Sequence, residues 1–261
     1  MQRKLTSDSW MGALVAFAII ILWVSSLVFT LSTDLAQWGS LWVLPAILVR
    51  TFIQTGLFIV VHDAIHGSVF PGNRQLNSWI GSLAITLYGF LPYQKLSSNH
   101  WKHHRSPGQL DDPDFHDGVH KGFFGWYFKF MTKEYVDVEM RQKLLLYMTI
   151  AFVVLRFGFQ ASNSNLFLFW LLPLILSSLQ LFFFGTYLPH RDTNIDSPNS
   201  HNAVSSNYPV ALSFLSCYHF GYHWEHHEYP DVAWYNLPKV RQARRNQMKN
   251  AIGNLASDLL I

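Results

Sequence analysis

Residues 41–66 read LWVLPAILVRTFIQTGLFIVVHDAIH. From Leu41 to Val61 the stretch is apolar apart from polar interruptions at Arg50 and Gln54, and it is long enough to cross a bilayer, for which about 20 mostly apolar residues suffice. It then runs without a break into His62 and His66. Residues four apart share one helix face, so these two imidazoles point the same way. A hydrophobic span that delivers paired metal-ligand side chains at its end sets the frame for the rest of the chain.

Three further runs have the character of spans. Trp10–Leu31 carries no charge, Leu144–Phe159 is shorter and holds Arg156, and Leu166–Leu188 is interrupted only by Ser177, Ser178 and Gln180. Trp79–Leu91 is apolar but too short to cross, which fits an interfacial or half-inserted helix. The first run is too long for a cleaved signal and is followed by no small-residue cleavage site, so it is expected to stay. Composition agrees: 50% of the 261 residues are hydrophobic and only 13% are charged, against roughly 25% charged in soluble domains. This excludes a disordered chain and argues against an ordinary cytosolic domain. A net charge of +3 gives no case for nucleic acid, and the single Cys217 excludes an intrachain disulfide or a thiolate metal cluster.

Basic residues orient the spans. The loops 32–40 and 160–165 contain no Lys or Arg, whereas Arg3 and Lys4, eight Lys or Arg residues between Lys95 and Lys143, and the basic stretch from Lys239 to Lys249 lie on the other side. The expected fold is all-α: an integral membrane protein with four transmembrane helices at about 10–31, 41–61, 144–159 and 166–188. An interfacial helix and a cytoplasmic cap, residues 62–143 and 189–261, complete one domain over 1–261. Both termini are then cytoplasmic. The Ser-, Asn- and Asp-rich stretch 192–207 is expected to be an exposed loop, and 238–261 a basic surface helix against anionic headgroups.

The histidines fall in three clusters: His62 and His66; His100, His103 and His104; His223, His226 and His227. At spacings of three and four residues, each cluster offers two or three imidazoles to one point. Imidazole suits Zn, Cu, Fe and Ni, and eight such ligands exceed what one tetrahedral ion uses, so two ions fit the count. There is no His-Glu-x-x-His zinc motif, and Glu-x-x-His carboxylate patterns do not organise the clusters. An all-imidazole pair of redox-active ions at a membrane boundary points to dioxygen activation by iron. A His-rich metal transporter is the rival from another class, but transporters place such ligands near the bilayer midplane rather than beyond the ends of spans.

His-x-x-x-His followed by two His-x-x-His-His boxes resembles the membrane fatty-acid desaturase and hydroxylase superfamily. Within it, the segments 56–67 (GLFIVVHDAIHG), 89–104 (GFLPYQKLSSNHWKHH), 112–116 (DPDFH), 184–190 (FGTYLPH) and 217–230 (CYHFGYHWEHHEYP) resemble the β-carotene ketolases. Ile65 and Trp224 stand where that pattern carries Met and Glu. The resemblance implies two iron ions as cofactor and oxidation of the C4 methylene of a β-ionone ring by O2, with β-carotene as substrate. It also implies a ninth ligand at His190, with His219 as the alternative ligand or a supporting residue. An acyl-lipid desaturase or hydroxylase with the same boxes is the nearest rival. No G-x-G-x-x-G or cysteine cluster holds a flavin, nicotinamide or iron–sulfur centre, so electrons come from an external donor such as ferredoxin. Asp63, Asp114, Asp117, Glu225, Glu228 and Asp231 are the candidates to orient the imidazoles from behind. Trp101, Phe220, Tyr222 and Trp224 interleave with the boxes and could line a substrate channel. His116 and His120, among Asp112, Asp114 and Asp117, belong to a hydrogen-bonded loop or to that supporting layer, and His201 is expected to be exposed.

Overall fold

A computed structural model describes residues 10–39, 41–109, 111–192 and 201–258. Arg3, Lys4 and residues 193–200 of the 192–207 stretch lie outside the described residues. Among the described residues there is no strand. The helices are α1 (Met11–Leu31), α2 (Leu35–Trp38), α3 (Val43–Ile65), α4 (Arg74–Gly89), α5 (Tyr93–Arg105), α6 (Phe123–Lys129), α7 (Val138–Val153), α8 (Asn163–Leu166), α9 (Leu172–Phe182), α10 (Leu188–His190), α11 (Val210–Cys217), α12 (His223–Glu228) and α13 (Leu237–Asp258). Helices α8 to α10 are joined through π turns at Phe167–Leu171 and Phe183–Tyr187 into one helix, Asn163–His190.

Among the described residues, three helices are long and apolar enough to cross a membrane: Met11–Leu31, Val43–Ile65 and Asn163–His190. Helix α3 continues four residues past the expected end of its span, so His62 and Asp63 belong to the span helix rather than to a loop beyond it. The expected span 144–159 falls in α7 and the π turn Val154–Gly158 that extends it; no residue of either is buried. The apolar stretch 79–91 lies mainly in α4, which begins at Arg74 behind an N-cap from Asn73. Helix α4 packs along α3 and reaches as far as Gln54, whose Nε2 donates to the Tyr88 carbonyl at 2.7 Å. There Phe90 turns the chain in the left-handed region (φ 58°), and α5 leads back to the histidines.

The polar interruptions of α3 are buried fasteners. Arg50 is 1% exposed and donates to the carbonyls of Phe169 (3.1 Å) and Trp23 (3.0 Å) and to Ser26 Oγ (2.7 Å). Gln54 accepts from Trp23 Nε1 at 2.6 Å. Polar side chains in an apolar bundle are retained only where they find partners; here they tie α1, α3, α4 and the π turn at Phe167–Leu171 together. Gly12 serves a close approach: an added Cβ would stand 2.5 Å from the Val69 carbonyl oxygen and 2.6 Å from that of Ser68. The loop after α3 therefore rests on the start of α1.

Candidate metal centre

Two sets of four imidazoles converge, each with ligand atoms within 4.8 Å of one another: His62, His66, His100 and His226, and His103, His190, His223 and His227. They come from the end of α3, from α5, from the last turn of the Asn163–His190 helix, and from α12. The expectation that each cluster points at a single spot needs correction. In α5, His100 joins the first set and His103 the second. In α12, His223 and His227 join the second and His226 the first. The reason lies in helix geometry. From residue i, position i+4 is rotated about 40° one way and i+3 about 60° the other, at 3.6 residues per turn. Adjacent histidines thus diverge by about 100°, and each box serves two points.

The Nε2 atoms form two chains. In the first, His66–His100 is 2.8 Å, His100–His104 3.2 Å, His104–His226 2.9 Å and His226–His62 3.1 Å. In the second, His103–His227 is 3.1 Å, His227–His223 3.1 Å and His223–His190 3.0 Å. His104 therefore adds a fifth imidazole to the first set, and its ring stacks on His227 (4.3 Å, 24°) where the two sets meet.

These separations lie within hydrogen-bond range and equally suit a shared cation. Nitrogens bound at about 2.1 Å stand roughly 3.0 Å apart at right angles and roughly 3.4 Å apart at the tetrahedral angle. The observed 2.8–3.2 Å matches right-angled ligation. The opposite ring nitrogens fix the tautomer in two cases. His103 Nδ1 lies 3.0 and 2.9 Å from the two Asp112 oxygens, and His190 Nδ1 2.7 Å from the Asn202 carbonyl. A donor Nδ1–H leaves the Nε2 lone pair facing the centre, as a metal ligand needs. Burial, followed by repulsion from neighbouring imidazoles, holds His66, His100, His223, His226 and His227 well below the ordinary histidine value and His104 down at about 2. These six imidazoles are thus in their neutral, ligating form. For His103 burial works in the same sense, but the Asp112 carboxylate outweighs it and the net shift is upward.

Of the two candidates for a ninth imidazole, the structure brings His190 to the cluster. His219 lies away from it, its Nδ1 3.1 Å from Ser213 Oγ and its ring stacked on Tyr222. The carboxylates are distributed differently from expectation. Asp63 Oδ1 lies 3.5 Å from His62 Nδ1, while its Oδ2 accepts from the Trp234 amide at 3.2 Å. Asp114 accepts from Tyr135 at 2.5 Å, and burial lifts its carboxyl to about 6. Asp117 and His120 pair with each other in an exposed loop, and His116 lies beside Trp126. Glu225 touches no imidazole: fully buried, it accepts from Arg241 and Arg244 at 2.9 Å each, so part of the basic helix α13 faces the third box instead of solvent. Glu228 binds His201 at 2.7 Å, and His201 is only partly exposed, its ring 5.9 Å from that of His227. Asp231 is exposed.

The carboxylate missing from the sequence candidates for direct support is Asp112. It also accepts from the amides of Gly108 (2.7 Å) and Asp114 (2.8 Å). Its position nine residues from His103, after a glycine turn, gave no periodic signal.

A narrow cavity of about 100 Å³ opens on the cluster, with Phe58, Ile65, Leu91, Leu96, Met131 and Phe182 in its wall beside His62, His100, His103, His223 and His226. Of the four expected channel aromatics, Phe220 lines it. Trp101 packs edge-on against His66, Tyr222 donates to the Tyr208 carbonyl, and Trp224 lies under the Arg244 guanidinium; none of these three lines the cavity.

The sequence pattern of the fatty acid desaturase family matches residues 36–255. A β-carotene ketolase of Paracoccus sp. (strain PC1) is 38% identical over 91% of this chain and 95% of its own length. Another, from Paracoccus sp. (strain N81106), is 42% identical over 73% and 76%, and β-carotene 4-ketolase 3 of Haematococcus lacustris is 39% identical over 75% and 61%. No solved structure matches. The match to the family pattern covers all the converging histidines and two of the three long apolar helices, so the chain belongs to the fatty acid desaturase family and groups within it with the β-carotene ketolases.

Proposed function

We propose that the protein is a β-carotene 4-ketolase that converts β-carotene to echinenone and then to canthaxanthin. The observation that carries this reading is the cavity, whose apolar wall ends on five of the converging imidazoles, in a chain similar to ketolases over most of its length. Two iron ions would be held by His62, His66, His100, His104 and His226, and by His103, His190, His223 and His227. When bound, they supply O2 activation and removal of hydrogen from an allylic carbon. The chain's task is to orient and to exclude water. Phe58, Ile65 and Phe182 would grip the β-ionone ring, and Asp112 keeps His103 in the ligating tautomer.

Each hydroxylation consumes one O2 and an electron pair; the second gives a geminal diol, which loses water to leave the ketone. The electrons come from an external donor such as ferredoxin. β-Carotene is about as long as the hydrocarbon layer is thick, roughly 30 Å, so one ring can reach the centre while the polyene stays in lipid. Re-entry in the opposite sense then oxidises the second ring.

The topology proposed with this function has four spans, at about 10–31, 41–61, 144–159 and 166–188. In the span 144–159, Leu145, Leu146, Ile150, Val153, Val154 and Phe157 are exposed, as expected for lipid contact, while Leu144, Met148, Phe152 and Leu155 pack against the core. Helix α4 is half-inserted, both termini are cytoplasmic, and residues 1–261 form one domain. Labelling of single cysteines at Ser32 and Ser162 from the non-cytoplasmic side tests this topology; cytoplasmic labelling overturns it. Expression in cells that accumulate β-carotene, followed by pigment and fatty-acid chromatography, tests the activity. Echinenone and canthaxanthin are expected. Ring-3 alcohols or altered fatty acids would instead favour a hydroxylase or an acyl-lipid desaturase.

A further inference from the structure

The wall of the cavity is apolar apart from the imidazoles and a few other groups. The Tyr88 hydroxyl is engaged by Ser177, Ser178 is paired with Tyr127, and Thr186 adds a further hydroxyl to the wall. Asp114 and Tyr135 are different. Both line the cavity, both are buried, and their one mutual bond, from the Tyr135 hydroxyl to Asp114 Oδ1 at 2.5 Å, leaves Asp114 Oδ2 accepting from no described residue. The Asp114 main chain is fixed on both sides: its amide donates to Asp112 Oδ1 at 2.8 Å, and its carbonyl accepts from Trp126 Nε1 at 3.0 Å. A rigidly held carboxylate oxygen with spare acceptor capacity is thus built into an otherwise greasy wall beside the histidines. β-Carotene has no group that could use it.

The alcohol made from β-carotene does. A ketone requires two oxidations at one carbon, and between them the ring carries a hydroxyl. In an apolar pocket an unpaired hydroxyl is strongly disfavoured and would drive the intermediate out. We infer that Asp114, braced by Tyr135, is the subsite that binds the C4 alcohol and holds it for the second oxidation. This rests on the ketolase reading above. In the first oxidation a C–H bond is replaced by C–OH, the second oxygen atom of O2 leaving as water with two electrons from the external donor and two protons. The alcohol O–H then donates to Asp114 Oδ2. This holds C4 in place, and its remaining hydrogen is replaced in the same way to give the diol that loses water.

The test uses full-length protein in β-carotene-accumulating cells and then in detergent with a reducing system. Tyr135→Phe and Asp114→Asn should release the C4 alcohol, which the unaltered protein passes on to the ketone. With the alcohol supplied as substrate, Asp114→Asn should raise KM about tenfold or more, the loss of one hydrogen bond to a charged group, and Tyr135→Phe, which frees the carboxylate to turn away, should raise it in the same direction, while kcat changes little and KM for β-carotene holds. Retention of the alcohol by the purified protein without reductant should weaken in parallel. Should Asp114→Asn fail to accumulate, Tyr135→Phe alone decides. An unchanged ratio of alcohol to ketone, equal loss of both oxidations in protein present at normal level, or alcohol release from Thr186→Val but from neither variant each overturns the subsite. Absence of any C4 oxygenation by the unaltered protein overturns instead the ketolase reading on which it rests.

Discussion

Replacing Asp112 by Asn changes one atom, yet the structure makes it a severe substitution. Both carboxylate oxygens are committed: each lies within 3.0 Å of His103 Nδ1, Oδ2 accepts from the Gly108 amide at 2.7 Å, and Oδ1 from the Asp114 amide at 2.8 Å. An asparagine has one acceptor oxygen. Whichever way the amide is turned, its NH2 group faces a backbone N–H and leaves that buried donor unpaired, at about 1–3 kcal/mol. The substitution also removes the charge behind His103. Loss of such a supporting group lowers metal affinity by about 10–100-fold, or about 1.4–2.7 kcal/mol. On the proposed two-iron reading, the assay is removal of iron from the purified protein by a graded chelator series, together with the Tm of the metal-free protein. The chelator concentration that strips the second set, His103, His190, His223 and His227, should fall by that factor while the first set keeps its metal, so that removal becomes two-phased. A removal curve identical to that of the unaltered protein, from a folded Asp112→Asn variant, refutes the assigned role of Asp112.

Acid should weaken the fold through the same histidines. Unfolded imidazoles titrate near 6.5, whereas the folded chain keeps His104 near 2 and His66, His100, His223, His226 and His227 well below the ordinary value. The unfolded state therefore gains protons that the folded state refuses. Stability present above about 6.5 is lost as pH falls below it, by up to about 1.4 kcal/mol per pH unit for each group; His103 works in the opposite sense. The Tm of metal-free protein should be lower at about pH 5.5 than at about pH 7.5, and a rise would contradict the argument. Arg50→Leu removes the guanidinium from the Phe169 and Trp23 carbonyls; the Trp23 carbonyl keeps Ser26 Oγ, and loss of the bond to Phe169 should cost about 1–3 kcal/mol, read as a drop in Tm in detergent; unchanged stability would remove Arg50 from the bracing of the bundle. Gly185→Ala places a Cβ 2.8 Å from Phe220 Cδ2, and Phe220 packs 4.7 Å from the His62 ring. Ketone yield should fall severalfold with iron content preserved, and an unaltered yield would show that this part of the cavity does not hold the ring.

Much was legible in the sequence because it is local. Apolar runs long enough to span, a histidine pair at the end of α3, and boxes with spacings of three and four follow from helix periodicity and from the cost of exposing polar backbone in lipid. Those features also carried the family resemblance. What periodicity cannot encode is the partner on another helix. Helix geometry makes neighbours in His100-Trp101-Lys102-His103-His104 diverge, but nothing there says that His103 meets His223 and His227 while His226 joins the other set; that follows from which residues of distant segments the fold brings together. The choice between His190 and His219 was equally non-local: the helix from Asn163 ends with His190 against His223, while a left-handed turn at Tyr218 and His219 (φ 45° and 65°) carries His219 elsewhere. Asp112 lies in an irregular segment and Tyr135 ends a short π turn, Phe130–Tyr135, neither with a period long enough to expose it. Arg50 looks like a flaw in a span until Trp23 and Phe169 are seen around it. The order of residues along the chain was enough to set the helices and the chemistry each one carries. Which side chains share a point in space was settled by the packing of those helices, because it depends on contacts between residues far apart in the chain.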